Sequence, residues 1–179
     1  RIMLFKSCNK IDTWKLLESK FGEIRYSDYL FSEYEKVLSK AMNEQKRIYS
    51  AAYIMTSGKS SFGYERKHQN HLKLIEKMMQ DDLAAKIVDL KTMGGLFKLL
   101  KSYPTIGDFL AYQYAIDINY SELINFSESE FVIPGPGALS GIKKCFSDLG
   151  GLNQAEIIKY VTDIQNSEFE RLGISFDSL

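Results

Sequence analysis

Two groups of polar residues stand out as able to do chemistry. Gln113 and Asp117 lie four apart in DFLAYQYAIDI, so a helix puts an amide and a carboxylate on one face. That pair suits the hydrogen-bonding edge of a pyrimidine, which a protein reads once the base has left its stack. Tyr112, Tyr114 and Tyr120 on the same stretch are candidate stacking partners. A helix-bridging role is the competing reading of Gln113 and Asp117, because buried polar groups usually find a partner. The second group is VTDIQNSEFE, where Asp163, Asn166 and Glu170 recur at helical spacing on one face. A solvated acidic face is the alternative there.

These groups need elements to hold them. The stretch LFKLLKSYPTIGDFLAYQYAIDI has the grammar of helix, tight turn, helix, over about 96–118. Pro104 is expected to stop the first helix and Gly107 to supply the turn backbone. The amides around Thr105, Ile106 and Gly107, at the start of the second helix, are placed to hold a phosphate oxygen. Asp108 argues mildly against this, since its carboxylate competes for the same amides. Downstream, Gly135, Pro136 and Gly137 sit in a PGPGA segment that predicts a loop without bulky side chains, which a ligand can approach closely. Ile142, Lys143 and Lys144 are expected to open the next helix toward the same region, with both lysines near phosphate.

The remaining chain reads as wall and floor. A helix is expected after an Asp12 N-cap, closed by Gly22. A second should bury Leu30, Tyr34, Val37, Leu38 and Ala41. Tyr49 to Ser57 suits a short strand or a helix end. From about Tyr64, Arg66, Lys67, Lys73 and Lys77 give a helix a local basic bias, with Arg66 and Lys67 as phosphate contacts and a solvated face as the alternative. Met78, Met79, Leu83, Ile87, Val88 and Leu90 extend the apolar pattern until Gly94-Gly95 breaks it. Gly58-Lys59-Ser60 resembles a triphosphate loop only in part, because Tyr53 stands where that loop needs a glycine. His68 and His71 share a helix, but neither cysteine is near in sequence, so no metal and no cofactor is expected.

The bulk numbers frame these readings. A chain of 179 residues suits one domain, or two lobes sharing a cleft, and the expectation is a single mainly α domain over 1–179. Lys plus Arg (23) equal Asp plus Glu (23), which excludes a general polybasic coat but not one basic face. Two distant cysteines make no disulfide framework and fit a reduced, cytoplasmic setting. No run is apolar enough for a membrane span. The sequence opens on Arg-Ile-Met-Leu-Phe without an initiator Met, as a fragment would.

Four pieces carry a family likeness: LFKSCNKIDTW, AAYIM, IGDFLAYQYAIDINYS with FVIPGPGALSGI, and TDIQNSEFE. In this order they resemble a branch of the DNA glycosylase superfamily. That branch holds the helical domain of phage 5-hydroxymethyluracil DNA kinases, the α-glutamyl/putrescinyl thymine pyrophosphorylases, and proteins that excise heavily modified cytosines. The resemblance implies a helix-hairpin-helix, glycosylase-like fold that binds double-stranded, modified phage DNA and flips out a pyrimidine. It implies a pocket signature in Asp163, Gln165, Asn166 and Glu170. Glycosylases carry a catalytic aspartate near the PGPGALSG segment, which here has none; the resemblance therefore moves that role to Asp163 first and Asp117 second. Base excision in anti-phage defence is the first expectation. Transfer of an amino acid or polyamine onto a pyrophosphorylated base, and a non-catalytic DNA-binding module, are the alternatives.

Overall fold

The computed structural model describes residues 1–52 and 55–175. Among them there are ten α-helices, two short 3-10 turns (Tyr26–Asp28 and Glu128–Glu130) and no strand, which makes the protein mainly α. The helices are α1 (Ile2–Cys8), α2 (Ile11–Phe21), α3 (Phe31–Asn43), α4 (Lys59–Phe62), α5 (Lys67–Gln80), α6 (Leu83–Val88), α7 (Met93–Lys101), α8 (Asp108–Asn119), α9 (Pro136–Cys145) and α10 (Gln154–Arg171). No described helix is long and apolar enough to cross a membrane. The chain forms two compact units, 1–126 and 127–179.

In the first unit α5 is the central strut, in contact with α1, α3, α4 and α6, while α7 packs along α8. Of the apolar residues expected to line α5, Leu72, Ile75 and Met78 are in the core, while Met79 is only half-buried. Tyr34 and Leu38 of α3 fall on the buried side as expected, and Tyr34 stacks on Phe21 with ring centroids 4.3 Å apart. Leu30 and Val88 do not: both are exposed, because α3 begins only at Phe31 and α6 ends at Val88. Similarly, α5 starts at Lys67, later than Tyr64, and Asp12 is in the first turn of α2 rather than its cap, which is Lys10. The expectation for Tyr49 to Ser57 falls partly on Tyr53 and Ile54, outside the described residues; the flanking residues form neither helix nor strand.

Gly94-Gly95 does not break the chain. Both glycines lie in the first turn of α7, where the Thr92 hydroxyl accepts from the Gly95 amide at 3.1 Å. A Cβ on Gly95 would sit 3.3 Å from Thr92 Oγ1 and 3.4 Å from Leu90, so the cap itself requires a small residue there. Helix α7 thus starts on weak helix formers and depends on its cap. Thr92→Ala is expected to destabilise the protein by about 1 kcal/mol, read as a lower urea midpoint at unchanged cooperativity.

The second unit is held by contact between α9 and α10, with Ile142 and Ile157 as its buried apolar residues among those described. Asn153 caps α10 by accepting from the amides of Ala155 and Glu156, and Glu156 reaches back to the Asn153 amide at 2.7 Å. Helix α9 overturns one expectation. It begins at Pro136, with Gly135 as cap, so Pro136 and Gly137 are helical and not a loop. Proline is tolerated there because its missing N–H is one the first turn leaves unpaired anyway. Lys143 and Lys144 consequently end α9 rather than open a helix. At that end they complement the partial negative charge of exposed carbonyls.

Candidate nucleic-acid interface

The turn between α7 and α8 is built differently from its sequence grammar. Gly107 has φ −84° and ψ 178°, an extended backbone open to any residue. The left-handed residue is Thr105, at φ 70°. A β-branched residue there is strained unless its surroundings hold it. Thr105 is held from one side by Gly58: a Cβ on Gly58 would come within 3.3 Å of the Thr105 methyl and 3.1 Å of Asn70 Cβ. The Thr105 hydroxyl is buried without a hydrogen-bond partner. Ile106 is buried and Tyr103 closes the turn by accepting from its amide at 3.3 Å.

No side chain caps α8, which leaves its first backbone amides available. Asp108 does not take them; it pairs with Lys101 at 2.5 Å. The turn therefore offers a helix start without a side-chain cap beside Lys101 of α7. Farther along α8, Tyr112 and Gln113 are half-buried. Asp117 is too, and its Oδ2 lies 2.8 Å from Lys6 Nζ, with the lysine side chain 12% exposed and the aspartate 34%. The contact is charge against charge rather than a well-aligned hydrogen bond. Lys6 has no sequence signal as a partner, since the two positions lie in helices at opposite ends of the unit's sequence.

Tyr114 is not a stacking candidate as expected. It is 1% exposed, and burial first, then Asp117 and Cys8, push its phenol far above the usual range. Its hydroxyl is buried without a hydrogen-bond partner. Tyr120 is well exposed. The basic bias on α5 is largely neutralised locally: Lys73 pairs with Glu76 at 2.6 Å and Lys77 with Asp81 at 3.0 Å. The Arg66 guanidinium donates to Asn43 at 3.1 Å, and Lys67 sits 4.7 Å above the Tyr49 ring, where burial lowers its pKa.

His68 and His71 are both buried and separately engaged. The His68 Nε2 meets Ser39 at 2.9 Å, and Ser39 donates on to Glu35 at 2.6 Å. His71 Nε2 donates to the Thr56 carbonyl at 2.8 Å, which leaves Nδ1 to accept from the Tyr49 hydroxyl at 3.3 Å. Among the described residues no group of three or more His, Cys, Asp or Glu could hold a metal ion. Gly58 and Lys59 form no phosphate cradle; Lys59 opens the single-turn α4 and pairs with Glu65 at 2.6 Å.

In the second unit Asp163, Asn166 and Glu170 share a face of α10 as their spacing requires, with Gln165 off that face. All four are exposed. Of the two candidate carboxylates, Asp117 alone is partly withdrawn from water and held by a cation.

The family model described as "5-hmdU DNA kinase, helical domain" matches residues 1–179. A 5-hmdU DNA kinase from Bacillus phage SP10 is 25% identical over 142 residues, which is 72% of this chain and 22% of that protein. The chain spans about a fifth of the length of this curated relative. No solved structure matches.

Proposed function

We propose, from the premise that the chain belongs to the family of 5-hmdU DNA kinase helical domains, that it is the DNA-binding module of an enzyme acting on a hydroxymethylated pyrimidine in double-stranded DNA. The observation that carries this reading is the α7–α8 hairpin. The α8 start at Gly107 and Asp108, which no side chain caps, suits a phosphate oxygen, with Thr105 and Ile106 in the turn before it, and Gln113 with Asp117 follow on the same helix. Phosphate contacts of this kind position the duplex without reading sequence or needing a net positive chain. The module then presents a base drawn from the stack, its edge met by Gln113 and its ring by Tyr112. In the second unit the exposed Asp163, Gln165, Asn166 and Glu170, the α9 start at Gly135, Pro136 and Gly137, and Lys143 with Lys144 are the further contacts of the proposal.

The test compares binding to duplexes that differ in one base, 5-hydroxymethyluracil against thymine, at fixed low salt. Preference for the modified duplex is expected, and Gln113→Ala should remove the preference while leaving thymine-duplex binding in place. Equal affinity for both duplexes in the parent chain would sink the base-recognition half of the reading.

Base excision is a second reading, favoured by one feature: Asp117 is half-buried, with Lys6 Nζ 2.8 Å from its Oδ2. A fixed carboxylate can stabilise positive charge at the sugar as the bond to the base breaks, with water supplying the new hydroxyl. Excision leaves abasic sites that alkali cleaves, and Asp117→Asn would abolish them. Intact strands with a heavier base would point to group transfer instead.

A further inference from the structure

The chain is neutral overall, yet its cations are not evenly spread. A trough of about 490 Å³ in the first unit is lined by Lys10, Lys15, Lys46 and Arg47 against one carboxylate, Asp12. Local folding builds it. Helix α3 ends with Gln45 in the left-handed region at φ 60°, and the Lys46 amide closes back onto the Ala41 carbonyl at 2.9 Å. That reversal carries Lys46 and Arg47 toward the start of α2. The buried Thr13 hydroxyl then ties α2 to the Ile48 carbonyl at 2.7 Å, so Thr13, Ala41 and Ile48 form the floor.

Charge around the rim is also lopsided. Lys10 is paired with Asp12, and Glu44 is shared between Lys46 at 2.8 Å and Lys40 at 3.9 Å. Lys20 acts on the same Glu44 carboxylate. Lys15 and Arg47 make no ion pair with a described residue and are exposed. Concave surfaces lined by one sign of charge concentrate the opposite charge. No aromatic ring lines the trough, so it offers no aromatic platform for a base.

We propose that this trough is a second contact for the phosphodiester backbone of DNA, made by Lys15 and Arg47 with Lys10 and Lys46 and separate from the α7–α8 hairpin. The proposal rests on the DNA-binding reading for the identity of the polyanion, and on the trough alone for its place. It accounts for what α5 does not supply, since the basic residues there are spent on local partners.

The experiment is equilibrium binding of the 179-residue chain to a short unmodified duplex, followed by anisotropy between about 50 and 200 mM salt. Lys15→Gln with Arg47→Gln removes two exposed cations that make no ion pair with a described residue, although Lys15 acts at longer range on Asp12. The slope of log affinity against log salt should become shallower by about 1.8, with weaker binding at every salt concentration. Exchanging the two residues for each other's type, Lys15→Arg with Arg47→Lys, keeps the charge and should keep the slope. Lys36→Gln, on the exposed side of α3 outside the trough, should also leave it unchanged. If the parent chain binds and the double Gln variant retains the full slope, the trough is not a DNA contact while the DNA-binding reading survives. If the charge-preserving exchange loses the slope as well, charge is not the cause and the inference falls. If the parent chain fails to bind duplex at the lowest salt, the inference and the DNA-binding reading fall together.

Discussion

Acidifying the protein from neutrality to about pH 4 is expected to remove about 3 kcal/mol of stability through His71 alone. Burial is the main cause of its low pKa, about 4 in the folded chain against an ordinary value of 6.5; the hydrogen bond to Thr56 works the other way. A histidine with a depressed folded pKa is neutral in the fold and takes up its proton on unfolding. Between these two values the unfolded state binds more protons, so stability rises with pH across that window. The contribution is complete above pH 6.5 and is lost as pH falls toward 4. His68, also lowered mainly by burial, adds in the same direction.

Carboxylates complicate a bare acid titration, because Glu35, held below its usual range first by the Ser39 hydroxyl, also loses its stabilisation on protonation. A variant separates the two. Urea unfolding of His71→Gln across pH 4 to 7 should give lower stability at neutrality, from lost bonds to Thr56 and Tyr49, and a flatter pH dependence. An unchanged slope in that variant would mean that His71 is not the group that titrates.

Asn70→Ala is expected to cost about 3 kcal/mol, a large effect for one polar side chain. Asn70 is 1% exposed and binds the loop that precedes α5 from inside. Its amide donates to the Ser57 and Tyr64 carbonyls, each at 2.9 Å, and its carbonyl accepts from the Tyr64 amide at 3.0 Å. Removing the side chain leaves three backbone groups to find water in a crowded place. The loop also carries Gly58, which braces Thr105, so the loss should reach the hairpin. Chemical denaturation measures the first effect; faster amide exchange at residues 103 to 107 measures the second. Asn70→Asp keeps the bond from the Tyr64 amide but buries a charge whose second oxygen faces the Ser57 and Tyr64 carbonyls, so it should be no more stable than the alanine variant. A change below about 1 kcal/mol would show that water replaces these bonds without penalty.

The sequence by itself determined the mainly α class, the pair of helices α7 and α8 with a turn between them, and most of the core faces of α3 and α5. These follow from periodicity and from residues that act on their own neighbours, such as Pro104 after α7 and Gly22 after α2. It also put Gln113 with Asp117, and Asp163 with Asn166 and Glu170, on shared faces, because helical spacing alone decides that. What it misplaced were element ends and backbone conformations that depend on distant contacts. Gly107 has the composition of a turn residue, yet Thr105 takes the left-handed angle, since Gly58 and Asn70 pack where the chain must bend. Gly94 and Gly95 read as a break, but one Thr92 hydroxyl carries the helix through them. Only the tertiary structure decided which charges are spent and which remain. It paired Lys6 with Asp117, whereas the pairs of Lys73 with Glu76 and of Lys77 with Asp81 follow from helical spacing. It also gathered Lys15 and Arg47 beside one trough. Charge pairing across a fold has no period in the sequence, because it depends on which surfaces meet once the apolar faces are buried.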